Sequence, residues 1–190
     1  MVEFAIAGTK IKISFLFVSL LTLLSLLDRS GGVFLSVVFS LLHEMGHVAA
    51  AVLCKGKIDE LCFRPYGIAM KLCAVFTPLE EAFVLASGCL VNLIFIALPD
   101  PAVRYINLGI FLFNILPIAN LDGGRIVQIL LSRLFGDKAA TTIAIIISFL
   151  VLLPLSSAGF YLALTAKQPT LLVCSVYLAA TILIKRDKLF

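Results

Sequence analysis

Long apolar runs separated by short polar breaks dominate the chain, at 11–27, 33–53, 82–98, 105–119, 139–166 and 170–184. A helix needs about 20 largely apolar residues to cross roughly 30 Å of hydrocarbon. The pattern therefore predicts an all-α polytopic membrane protein of about six transmembrane helices. The fifth run contains Pro154 and Gly159 and is read as one kinked helix, two partial helices being the alternative. The one long polar stretch is 54–81. Partial alternation over 58–67 and 68–76, around Pro65 and Gly67, predicts a short β-hairpin between the second and third spans. Its exposed edge could pair with an extended peptide, or the hairpin could simply connect the two spans.

Composition agrees with a membrane chain. Of the residues, 62% are apolar and 14% charged, which excludes an ordinary soluble enzyme, a disordered tail or a nucleic-acid-binding module. One integral-membrane domain over 1–190 is expected, with no separate soluble domain. The basic residues orient it. If the first terminus and every second loop share one side, that side holds twelve of the fifteen Lys and Arg, leaving Arg29, Arg104 and Lys167 opposite. The positive-inside tendency then places both termini, and the hairpin, in the cytoplasm. A secretory signal is the alternative for the first run, but no A-x-A-like cleavage site follows it. Five scattered cysteines form no C-x-x-C, so no disulfide framework or thiolate metal site is indicated.

Both histidines of the chain lie in one pentapeptide, His43-Glu44-Met45-Gly46-His47, inside the second run. Residues four apart share a helix face, so both imidazoles can reach one metal ion. Glu44 sits beside them, where it could deprotonate a water on the metal. Random placement would produce this arrangement in roughly 3 of 10,000 such chains, below the usual false-positive rate of short motifs. Glu44 is also the only acidic residue inside any predicted span, and an intramembrane carboxylate marks a functional site by default. At 1.5 Å per residue, His47 lies about 21 Å from Val33 and about 9 Å from Leu53, within the membrane and nearer the cytoplasm. A metal transporter using the same pair without hydrolysis would need more ionisable groups along its path.

A catalytic zinc takes about three protein ligands and keeps one position open. With no third histidine, a carboxylate is the natural candidate. Asp28 and Asp100 fall on the opposite side of the membrane. Asp122 ends the fourth run, which is oriented like the second, after the helix breaker Pro117 and before Gly123-Gly124, which let the backbone turn. Glu60, Glu80 and Glu81 compete with it.

Together these motifs resemble the site-2 protease family of zinc intramembrane metalloproteases. An intramembrane H-E-x-x-H is followed on a later span by Asn114-Ile-Leu-Pro117-Ile-Ala-Asn-Leu-Asp122-Gly123, and Gly88-Cys-Leu-Val-Asn92 is similar to the family's small-residue/Asn motif. Cys89 departs from the proline that the family often has there. The resemblance covers roughly 33–135. It implies one zinc per chain held by His43, His47 and Asp122, with Glu44 as catalytic base. Asn92 or Asn114 could donate to substrate or to the developing oxyanion, or could hydrogen-bond between helices. The compact plan is similar to the sporulation-type branch, which cleaves a membrane-tethered transcription-factor precursor in regulated intramembrane proteolysis. The partners implied are a membrane-spanning or membrane-tethered protein substrate, the bilayer and a regulatory membrane protein.

Overall fold

A computed structural model of the protein describes residues 2–6, 9–15, 18–19, 22–23, 26, 28, 31–56, 58–64, 67–72 and 76–186. The chain divides into two compact units, Met1–Phe111 and Leu112–Phe190.

In the first unit, β1 (Val2–Ile6), β2 (Thr9–Ile13), β3 (Ile58–Arg64) and β4 (Gly67–Leu72) form one sheet in the order β1-β2-β3-β4. β1 pairs antiparallel with β2, β2 parallel with β3, and β3 antiparallel with β4. In place of an all-helical chain with an isolated hairpin, the described residues thus carry a four-stranded sheet. The expected first span, 11–27, lies partly outside the described residues, and its first three residues belong to β2.

Helix α1 (Gly32–Leu53) opens after Gly31, whose φ of 73° suits a residue without Cβ, and Asp28 accepts a hydrogen bond from the Val33 N–H at 2.6 Å. Helix α2 (Pro78–Ile96) opens with a capping box. The Thr77 N–H donates to Glu80 Oε2 at 2.8 Å, and the Glu80 N–H donates to Thr77 Oγ1 at 3.3 Å. The two helices approach closely at small residues: a Cβ on Gly46 would lie 2.9 Å from the Ser87 carbonyl oxygen and 3.2 Å from Gly88 Cα. Ala50, Ala51 and Val84 are buried in a cluster beside this crossing. Toward the start of α1, Phe39 meets Phe95 edge to face at 5.0 Å. Helix α3 (Pro101–Ile115) follows, its first turn held by the Val103 N–H donating to Asp100 at 3.0 Å.

In the second unit, α4 (Asp122–Phe135) is followed by α5 (Asp137–Thr165) and α6 (Thr170–Arg186), and α5, α6 and the stretch before α4 form a core of Ile118, Leu152, Leu178 and Ile182. α5 runs unbroken through Pro154 over 29 residues, so the two-helix alternative for this run is not what forms. A Cβ on Gly159 would lie 2.7 Å from the Leu172 nitrogen, which brings α5 and α6 together there.

The expected six spans need correction. Among the described residues, three helices are long and apolar enough to cross a membrane: α1, α2 and α5. The run at 105–119 yields only a 15-residue helix. Pro117, which has no N–H and clashes with a preceding helical turn, lies just beyond its end. The last run yields a 17-residue helix, short for a perpendicular crossing.

Candidate metal centre

The buried face of α1 carries Phe39, His43, His47 and Ala50, spaced by one helical turn, while Met45 faces outward. The two imidazoles are therefore stacked along one face and pressed against α2. Position 88 on α2 is the reason they fit. A Cβ there would lie 2.5 Å from His47 Cε1 and Nε2 and 2.8 Å from His43 Cε1.

Each ring is fixed through its Nδ1. His47 Nδ1 lies 2.7 Å from the Val84 carbonyl oxygen, which can only accept, so this nitrogen carries the proton. His43 Nδ1 lies 2.5 Å from Asn92 Oδ1. The two Nε2 atoms point toward each other at 3.2 Å. Two ligand nitrogens each about 2.05 Å from zinc at a tetrahedral angle lie about 3.3 Å apart. The pair thus fits a shared ion, and the Nδ1 contacts are the outer hydrogen bonds that metal-ligating imidazoles make.

Asn92 is fully buried. Its Oδ1 faces His43, and its Nδ2 donates to Asn107 Oδ1 at 2.9 Å. Asn92 thus links His43 on α1 to Asn107 on α3, the helix-to-helix hydrogen bonding that was one of its two expected roles. Asn107, also fully buried on α3, escaped the sequence reading. A lone asparagine midway along an apolar helix was the available signal, because membrane helices carry such groups where they find a partner. Glu44 follows His43 on α1 and is half-buried.

Asp122 is the first residue of α4 and half-buried. Its approach is shaped by residues 116–121. Ile118 is fully buried, the Ala119 N–H donates to Ser148 Oγ at 2.8 Å, and Asn120 Nδ2 donates to Thr181 Oγ1 at 2.8 Å. The glycines after Asp122 act by size. Neither has a positive φ, but a Cβ on Gly123 would collide with the Ile115 carbonyl and one on Gly124 with that of Ile118. The expected turn through Gly123-Gly124 is thus a close backbone approach. Asn114 lies in the last turn of α3.

The competing carboxylates are mostly engaged elsewhere. Glu80 accepts from the Thr77 N–H and hydroxyl, Asp28 from the Val33 N–H, and Asp100 from the Val103 N–H. The side chain of Glu60 lies outside what is described.

Among curated proteins, none matches the chain. A family model described as Peptidase family M50 matches residues 101–155. The solved structure of the Site-2 Protease from Methanocaldococcus jannaschii matches with a TM-score of 0.63 and 23% sequence identity, covering 93% of this chain and 91% of that one. The chain is thus similar to M50 peptidases over the segment holding Asn114, Pro117 and Asp122, and to a site-2 protease in fold.

Proposed function

We propose that the chain is a zinc-dependent intramembrane endopeptidase hydrolysing a peptide bond in or near the membrane segment of a protein substrate. In this reading residues 1–190 act as one metalloprotease domain. The observation that carries it is the imidazole pair, with both Nδ1 atoms engaged and the Nε2 atoms 3.2 Å apart. The M50 match and the site-2 protease fold support the same enzyme class. Asp122 is assigned as the third ligand of a single ion, on the ligand count of a catalytic zinc and on the M50 match over the segment that holds it.

A zinc ion bound there would polarise the scissile carbonyl and make a water more acidic. Glu44 takes the proton of the attacking water and delivers it to the leaving nitrogen, so that water adds across the peptide bond to leave a carboxyl group and an amine. Asn114 is assigned to hydrogen-bond the substrate or the developing oxyanion. The surroundings of α1, α2 and α5 are lipid, so water reaches this chemistry only in a cavity lined by protein. Lys55, Lys57, Arg64 and Lys71 between α1 and α2 support a multi-pass protein of the cell membrane with the active-site opening cytoplasmic. The substrate class is a membrane-spanning or membrane-tethered protein, in its specific version a transcription-factor precursor in sporulation, and a regulatory membrane protein is a separate partner.

The test incubates purified, zinc-loaded protein in detergent with single-span substrates and compares wild type with Glu44→Gln. Glu44→Gln is expected to keep zinc and lose cleavage by at least about 100-fold. Cleavage at the wild-type rate removes Glu44 from the base role, and cleavage that survives zinc removal overturns the metalloprotease reading.

A further inference from the structure

The two histidines obtain the same Nδ1 proton by different routes. His47 donates directly to a main-chain carbonyl, that of Val84. His43 faces a side-chain amide, that of Asn92. An amide can turn either its oxygen or its nitrogen toward the ring, so something must decide between the two.

The deciding group lies two residues away from the ring. Asn107 Nδ2 lies 2.8 Å from the Val103 carbonyl oxygen, one turn earlier on α3. A carbonyl oxygen only accepts, so Asn107 must present nitrogen to Val103 and oxygen to Asn92. Asn92 must answer with its Nδ2, at 2.9 Å. Its Oδ1 is then left facing His43 Nδ1, which must carry the proton. The three side chains are buried, His43 at 4% exposed and Asn92 and Asn107 at 0%, and the Val103 carbonyl at the end of the relay is partly buried. With no solvent to supply alternative partners, a reversed amide would place donor against donor.

We infer that Asn107 is a positioning residue for the metal centre, setting through Asn92 the tautomer in which His43 presents an unprotonated Nε2. This rests on the metalloprotease reading of the same histidines. Without Asn107, Asn92 can reverse and offer its Nδ2–H to His43 Nδ1. That selects the tautomer protonated at Nε2, which cannot ligate a metal through that nitrogen.

The experiment measures zinc affinity by competition with a chelator, using detergent-purified full chain whose helix content is checked by circular dichroism. Asn107→Leu is expected to weaken zinc binding about 10–100-fold, the usual range for an outer partner of a ligating histidine. Asn107→Asp keeps an acceptor toward Asn92 whether charged or protonated, and is expected to bind zinc within about 3-fold of wild type. In an Asn92→Asp background, where the carboxylate accepts from His43 whichever way it turns, adding Asn107→Leu is expected to change affinity by less than about 3-fold. An equal loss from Asn107→Leu in both backgrounds means a packing role and overturns the inference. So does wild-type affinity in Asn107→Leu, or about a 10-fold loss in a folded Asn107→Asp. His43→Ala separates the two readings. If it binds zinc like wild type, the metal centre itself is wrong. If it releases zinc while Asn107→Leu does not, only the role of Asn107 fails.

Discussion

The histidine pair and Asp122 are held by two different kinds of structure. His43 and His47 stand on an unbroken helix, where the 3.6-residue repeat alone places them on one side, and α2 supplies the partners of both Nδ1 atoms. Asp122 follows a non-helical stretch whose shape depends on Ile118 in the core and on hydrogen bonds to Ser148 and Thr181, far along the chain. A ligand on a helix is sensitive mainly to the volume of the neighbouring helix. A ligand on a loop is sensitive to each anchor that shapes the loop.

The largest effect expected is on zinc itself. His47→Ala and Asp122→Ala should each lower metal content after gentle dialysis from near one ion per protein to near zero. Zinc retained at full stoichiometry by Asp122→Ala would place the third ligand elsewhere, with Glu81 the next candidate. Gly88→Ala probes the volume limit. Its Cβ collides with both rings, so stability should fall by about 1–3 kcal/mol and zinc should bind more weakly. Gly109→Ala is the control, because nothing lies within 4 Å of a Cβ there. A harmless Gly88→Ala would show that α1 and α2 can separate without loss.

Ser148→Ala probes the loop anchors. It leaves the Ala119 N–H without its partner, a loss of about 1–3 kcal/mol if no other group replaces it. Cleavage should fall with it, read as thermal midpoint and turnover on the same preparation. A wild-type rate in that variant would mean that Ile118 alone holds the loop. The smallest effect is expected from Thr77→Ala, which removes the α2 cap for about 0.5–2 kcal/mol. Turnover should be unchanged, since Thr77 lies at the far end of the capping box from the rings. A loss of turnover larger than the loss of stability would show that the start of α2 steers the site.

These contrasts follow how legible each part was in the sequence. The H-E-x-x-H spacing was enough to predict α1 and the shared face, because a helix repeats regularly and needs no distant partner. Asp122 was readable as a candidate through Pro117 and its glycines, yet the reason for those glycines was not. Their role depends on the carbonyls of Ile115 and Ile118 coming close, which only the folded loop shows. The amino-terminal strands were hidden because Ile11–Ile13 begin an apolar run that looked like a span. The parallel pairing of Lys10 with Glu60 joins residues about 50 positions apart, beyond the reach of any local pattern. The count of spans suffered from the same limit, since apolar composition does not reveal that the fourth run stops being helical at Ile115.

The Val84 carbonyl has a consequence for what mutation can reach. In a helix this oxygen points toward residue 88, and the absence of a side chain at Gly88 leaves it open to His47 Nδ1. No substitution at position 84 short of altering the backbone can remove that oxygen. The partner of His43, in contrast, is a side chain that a single codon change erases. One imidazole is therefore insulated against genetic drift in its acceptor and the other depends on two asparagines being retained together. Variation among active chains of this kind should consequently be limited at 84 only by the volume its buried side chain can take, and coupled at 92 and 107.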